Sequence, residues 1–286
     1  MTDFAEKLRR RFKVAEEPPP LGGRMPPSEA AEFLRRRLLR RMAPPERVAL
    51  PDGGELHNEH GGCFVRRLRY ALDTRHGAHA LRAAHALDDR ARATLAALAR
   101  DAAFESFDVR RALFLDTETT GLSGGAGTVV FLCGVAWFED DALVLEQVFL
   151  RAFAEEPAAL AHVAAHVAAR PTLVTFVGKS FDRHRLGARM ALHRIESNIL
   201  RTPHLDLYHL ARRVWRHRLA DTRLRTVEAA ILGVDRPDDL PGAEAPAAWL
   251  RWIDDGCGPI DRVFEHNRLD VLSLVALLAA LAAEAR

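Results

Sequence analysis

The stretch Ala112-Leu113-Phe114-Leu115-Asp116-Thr117-Glu118-Thr119-Thr120-Gly121-Leu122 decides how this chain is read. Four apolar residues lead into an acid, and a second acid follows two positions later. An apolar run this short, bounded by Thr and Gly, predicts a buried strand. Side chains alternate along a strand, so Asp116 and Glu118 share one face. Two carboxylates in one site repel unless a cation lies between them, and oxygen-only ligands suit Mg²⁺ or Mn²⁺ better than zinc. The plainer alternative is a strand end carrying two solvated acids. The dry residues 113–115 argue against it, because a buried strand delivers its end to the carboxyl edge of a sheet, where sites in open sheets lie.

Working outward, strands are expected at 128–138 and 142–150, joined by an Asp140-Asp141 turn. With 112–116 they form a three-stranded antiparallel meander. A helix at 155–169 stops before Pro171, a strand follows at 172–177, then a helix at 181–194, a short strand at 204–207 and further helices. The stretch 237–246, rich in Pro and Gly, interrupts these, and a last helix runs from about 267 to the end. The order β-β-β-α-β-α-β-α predicts an α/β domain with a mixed sheet, the meander plus parallel strands, flanked by helices.

Two further acids stand after later elements. Asp182 follows the strand and opens a helix, where a carboxylate is favoured; alone it reads as an ordinary helix N-terminal acid. Gly178-Lys179-Ser180 hints at a phosphate loop, but the first glycine of that motif would have to stand at Leu173, so the reading fails. His266 and Asp270 are four apart and share a helix face, a spacing that alone describes a surface pair.

In series, these strings resemble the three motifs of the DEDD, or DnaQ-like, 3′–5′ exonuclease superfamily, in the subgroup that carries a histidine. Residues 116–134, 175–182, 204–207 and 266–274, with Arg75-His76-Gly77, resemble more narrowly the YprB-like ribonuclease H-like domain family. The resemblance implies a bacterial two-metal nuclease that holds two Mg²⁺ or Mn²⁺ ions with Asp116, Glu118, Asp182 and Asp270. It implies His266 as the base, since an unperturbed imidazole titrates near neutrality. It also implies that Thr119, Thr120, Gly121 and Leu122, with Lys179 and Phe181, meet the substrate, a single-stranded nucleic acid with a free 3′ end. Lys179 or Arg183 would touch phosphate; each reads equally as an exposed cation, and Phe181 reads first as core. Asp206 reads as structural or as a residue that orients ligands. One departure stands out: the family pattern has Asn before Gly-Lys-Ser, and this chain has Val177.

Upstream, residues 1–27 read as a short helix and a Pro-rich linker, and 28–108 as a small appendage. The appendage holds a helix at 29–42 capped by Ser28 and bearing Arg35, Arg36, Arg37, Arg40 and Arg41, a strand from Gly62 to Leu72, and a helix at 86–100. That arginine face is either solvated or a phosphate-contacting arm. The nuclease domain is placed at 109–286. Three scattered cysteines without CxxC spacing, and a start without an apolar leader, predict a reducing cytoplasmic setting and no membrane. The apolar stretch 271–283 reads as a core helix, and the tryptophans, Trp215, Trp249 and Trp252 among them, as core. His57, His60 and Cys63 have a loose metal-like spacing without a fourth ligand. The net charge of +2 neither demands nor excludes nucleic acid. Two rival readings stay open: a nucleic-acid-binding adaptor on an inactive nuclease fold, and a structure-selective endonuclease.

Overall fold

A computed structural model describes residues 47–121 and 127–284. The short helix expected within residues 1–27, the helix at 29–42 with its arginines and Ser28, and Leu122 of the first motif lie outside the described residues.

A seven-stranded sheet organises the chain. Its strands are β1 (Gly54–Asn58), β2 (Gly61–Ala71), β5 (Ala112–Thr119), β6 (Val130–Glu139), β7 (Ala142–Phe149), β8 (Thr172–Thr175) and β9 (His204–Asp206). The order across the sheet is β1-β2-β7-β6-β5-β8-β9, and β3 (Arg75–His76) pairs with β4 (His79–Ala80) in a separate small ribbon. The expected meander is present: β5, β6 and β7 pair antiparallel, while β8 and β9 add in parallel to β5. The strand expected in the appendage is also present, but it is continuous with this sheet, because β2 pairs with β7 from Phe64↔Phe149 to Ala71↔Ala142. Its apolar row faces inward as the alternation predicts, and Arg66, which interrupts that row, donates to Gln147 Oε1 at 3.3 Å.

The helices are α1 (Asp89–Ala99), α2 (Glu156–Ala168), α3 (Asp182–Leu192), α4 (Leu207–Trp215), α5 (Ala245–Asp255) and α6 (Ile260–Ala283). Asp88 and Asp206 cap α1 and α4, each accepting a backbone N–H in the first turn. The strands bury both faces. Leu113 and Leu115 pack toward α2 and α5, and Phe114 packs toward α4 and the C-terminal half of α6. β6 and β7 read as continuous apolar runs for this reason.

The last helix begins seven residues earlier than expected. Ile260, Val263 and Phe264 are fully buried at i, i+3 and i+4, so the apolar face extends back to Pro259 and His266 sits in the second turn. This helix is long and apolar enough to cross a membrane, yet 72% of its apolar window is buried within the protein, as expected of a core helix. Trp215, Trp249 and Trp252 are core residues.

Candidate active site

β5 carries its acids to the carboxyl edge of the sheet. Asp116 and Glu118 are two apart on that strand, and a bulge in the pairing with β6 follows at Glu118/Thr119. Asp116 is fixed from α6: Asn267 Nδ2 donates to its Oδ2 at 2.9 Å, and Gln147 Nε2 from β7 donates to Asn267 Oδ1 at 3.0 Å. This relay of amides, both fully buried, needs a glycine opposite Asp116. A Cβ at Gly134 would lie 2.3 Å from Asn267 Oδ1.

Asp182 opens α3 and accepts a short hydrogen bond from the Thr117 hydroxyl, which projects from the other face of β5. His266 Nε2 lies 3.9 Å from Glu118 Oε1 and 3.6 Å from Asp270 Oδ2. Glu118, His266 and Asp270 therefore meet from two elements, and Asp182, from a third, is near enough for its charge to act on Asp116 and Glu118.

Charge is crowded there. Burial, then the Asp270 and Asp182 charges, push the Asp116 carboxyl well above the ordinary carboxylate range. Burial, then Asp116, push Glu118 well above it too. Burial raises Asp182 to about 6 against the pull of the Thr117 hydrogen bond. His266 differs from the sequence expectation of an unperturbed imidazole. Burial works to lower it, but the hydrogen bond to Asp239 and the Asp270 and Glu118 charges outweigh burial and hold it at about 9. In the metal-free chain His266 is a cation at neutral pH.

Two further residues complete the site, and neither is legible from sequence. Asp239 takes His266 Nδ1 at 2.8 Å, fixing the ring. Arg236, 4% exposed at its side chain, places Nη1 2.5 Å from Asp270 Oδ1 and Nη2 on Glu228 and on Ser273 Oγ. Ser273 Oγ lies 2.6 Å from His76 Nε2, so the Arg75-His76-Gly77 turn is tied through buried side chains to Asp270. Both new residues sit in or beside the Pro-rich interruption after 232, which has no period from which to read a facing side chain.

The residues expected to meet substrate are placed unevenly. Thr119 is buried, and Thr120 is 2% exposed and committed to pairing with Val129 through backbone and hydroxyl. Gly121 is half-buried. Lys179 is exposed, and Phe181 is half-buried with the Arg185 guanidinium 4.9 Å from its ring centre. Asp206 acts as a clamp, accepting the N–H groups of Val177 and Lys179 at 2.9 Å each and that of Tyr208 at 3.1 Å. His57, His60 and Cys63 do not converge: Cys63 is buried in the apolar core, and His57 lies exposed beside Glu55.

Val177 has a φ of +67°, a region that L-residues with branched side chains avoid and Asn tolerates. The turn between β8 and α3 imposes that conformation, which gives a backbone reason for Asn here. Val177→Asn is expected to stabilise the fold by about 1 kcal/mol. Urea unfolding of the two chains measures it, and a less stable variant would contradict the strain.

The sequence model of a family described as the RNase_H superfamily matches residues 113–282, which hold every acid of the site. The chain belongs to the ribonuclease H superfamily. Within that superfamily it is YprB-like: "Uncharacterized protein YprB" of Bacillus subtilis (strain 168) is 33% identical over 222 residues, 75% of this chain and 52% of that protein. The chain thus spans about half the length of this curated relative. Among solved structures, the family B DNA polymerase from the hyperthermophilic archaeon Pyrobaculum calidifontis overlaps 58% of this chain and 24% of its own at a TM-score of 0.45 and 15% identity. The ribonuclease H-like match begins one residue into β5 and ends within α6. β1 and β2 extend the sheet from outside the match.

Proposed function

We propose that this chain is a nuclease that hydrolyses phosphodiester bonds with two bound divalent cations, releasing nucleotides from the 3′ end of single-stranded DNA or RNA. The observation that carries the reading is the buried cluster of Asp116, Glu118, Asp182 and Asp270, whose charges push on one another, with His266 beside Glu118 and Asp270. The donor set fits Mg²⁺ or Mn²⁺, being all carboxylate, and the upward push on Asp116 and Glu118 is the strain that a cation relieves. The bonds that fix Asp116, Asp182 and Asp270 each engage one named oxygen, Oδ2, Oδ1 and Oδ1 respectively, so the carboxylates are oriented in advance. Bound cations would supply Lewis-acid stabilisation of the phosphate and a water acidic enough to attack at neutral pH.

The chain's own groups do the rest. Asn267 and Thr117 hold two of the carboxylates, and Arg236 restrains Asp270. His266 takes the proton from the attacking water through Nε2, with Nδ1 held by Asp239. It is free to do so once the charges of Glu118 and Asp270 are neutralised, because those charges help keep its own proton in place. Lys179 is exposed near Asp182 and meets the phosphate backbone.

A labelled single-stranded oligonucleotide, with Mg²⁺ or Mn²⁺ and with an open or blocked 3′ end, tests the reading. Stepwise shortening only from an open end is expected. Internal cleavage of the blocked strand would favour the endonuclease. Metal-independent binding without hydrolysis would favour the adaptor.

Asp239→Asn tests the base. Asp239 raises His266, and a base must be neutral to act, so activity rises as pH passes its pKa. Losing a charge-assisted hydrogen bond of about 1.5–3 kcal/mol lowers that pKa by about one to two units. The ascending limb of the pH–rate profile is therefore expected to move to lower pH as the maximal rate falls. A limb that stays in place removes His266 from the role.

A further inference from the structure

On the sheet face turned away from Asn267, another set of ligand-type side chains converges. Glu146 projects from β7, and His162 and His166 project from successive turns of α2, four apart and so on one helix face. Glu146 Oε2 lies 2.9 Å from His162 Nε2 and 2.8 Å from His166 Nε2, and the two Nε2 atoms are 3.2 Å apart. The side chains are 6%, 18% and 12% exposed.

Hydrogen bonding accounts for two of these separations, with both rings donating to one carboxylate oxygen. The third is unfavourable in that reading, since two N–H groups aimed at one oxygen bring their hydrogens together. A tetrahedral ion with bonds of about 2.0–2.1 Å to nitrogen and oxygen sets its ligand atoms about 3.3 Å apart, which matches the 3.2 Å between the two nitrogens, while the contacts of 2.9 and 2.8 Å to the oxygen would open on binding.

We propose that Glu146, His162 and His166 form a second cation site that takes one transition-metal ion of the zinc class, with water completing the coordination. Two imidazoles and one carboxylate are borderline ligands, suited to zinc and poorly suited to Mg²⁺.

The surroundings support the assignment. Burial works to raise the Glu146 carboxyl, but hydrogen bonds and charge from the two histidines outweigh it and hold it at about 2; burial, first of all, lowers His166. Trp137 packs on the His166 ring with centroids 4.7 Å apart, and Arg170 lies 4.2 Å over Trp137, closing one side. Arg67 Nη1 lies 3.4 Å from the other Glu146 oxygen, which leaves Oε2 turned to the histidines.

Arg170 sets one requirement. Its Nη1 lies 3.1 Å from His166 Nδ1 and 3.2 Å from the His166 carbonyl oxygen. In the metal-free chain Nδ1 accepts from Arg170 and Nε2 carries the hydrogen. On metal binding the hydrogen moves to Nδ1, the Nε2 lone pair turns to the ion, and Arg170 keeps its bond to the carbonyl. The ion would staple α2 to β7 and stabilise the folded chain in proportion to its occupancy.

Metal-free protein titrated with Co²⁺ and then Zn²⁺ tests this. One Co²⁺ per chain with the intense visible bands of four-coordination is expected, displaced by Zn²⁺, unmoved by millimolar Mg²⁺ and accompanied by a rise in Tm. The Asp116→Asn/Asp182→Asn chain should retain this equivalent, which separates it from the carboxylate centre. His162→Gln and His166→Gln should each lose it while keeping the wild-type circular dichroism. A Co²⁺ spectrum that stays that of the hydrated ion in the wild-type chain overturns the proposal without recourse to any variant. So does a zinc equivalent that survives loss of both histidines or vanishes with Asp116 and Asp182.

Discussion

Asp116→Asn is expected to lower phosphodiester hydrolysis by about 100-fold or more while leaving the metal-free fold as stable as before or more so. The two effects have one cause. Asp116 is buried against Asp182 and Asp270, and its carboxyl is pushed well above the ordinary range by burial and by those charges. Asparagine keeps an oxygen to accept the Asn267 hydrogen bond and removes the charge. A carboxyl whose pKa is raised in the folded state favours folding below its unfolded value and loses that contribution as pH rises toward the folded value. The metal-free wild type should therefore lose stability as pH rises from the ordinary carboxylate range through about 6, the value for Asp182, and onward as Asp116 and Glu118 ionise. Mn²⁺ should reverse the loss, so its effect on Tm should be larger at pH 8 than at pH 5, and Asp116→Asn should blunt it. Hydrolysis of a labelled oligonucleotide and thermal unfolding with and without Mn²⁺ measure both. Equal rates in the two chains, or a variant that melts lower than wild type, would remove Asp116 from the proposed centre.

The acids of the candidate site are legible in the sequence because each is tied to a periodic element. Leu113 to Leu115 mark a buried strand, and on a strand the spacing of Asp116 and Glu118 has one outcome. Asp182 is legible as the residue after the β8 turn, and His266 and Asp270 as partners on a helix. What the pattern does not supply is the partner of each group. Asp239 and Arg236 reach the site from an irregular segment, where no period relates a residue to the face it presents. Asn267 stands in view between His266 and Asp270, but its role depends on Gly134 and Gln147, residues of two other strands. The expectation of an unperturbed His266 fails for the same reason. Its resting charge is set by Asp239, Asp270 and Glu118, far apart in the chain. The β2 strand is legible from its alternation, while its place between β1 and β7 is not, because alternation marks which face is buried and not which strands lie alongside.

Arg236→Met is expected to cost about 3–5 kcal/mol of stability, several times the gain expected of Val177→Asn. The guanidinium is 4% exposed at the side chain and faces Asp270, Glu228 and Asp239, the last at 3.6 Å. Methionine fills similar space, so the loss is electrostatic: Glu228 is left without its cation, and Asp270 and Asp239 keep His266. Glu228 should respond most, since burial already raises its carboxyl to about 7 against the Arg236 charge. Adding Glu228→Gln to the variant should therefore return part of the loss, which a packing defect would not allow. Lysine should serve poorly, because a single ammonium cannot meet Asp270 and Glu228 through separate nitrogens as Nη1 and Nη2 do. Urea unfolding of the single and double variants gives the numbers, and a loss under about 1 kcal/mol would show that water already shares the network. The consequence for function follows from geometry. Arg236 engages Oδ1 of Asp270 while Oδ2 faces His266, so the arginine offsets the negative charge of the metal-free pocket and fixes which oxygen Asp270 presents to it. Without it, Asp270 is free to turn, and the Mn²⁺ affinity of the centre should fall even under conditions where the variant remains folded.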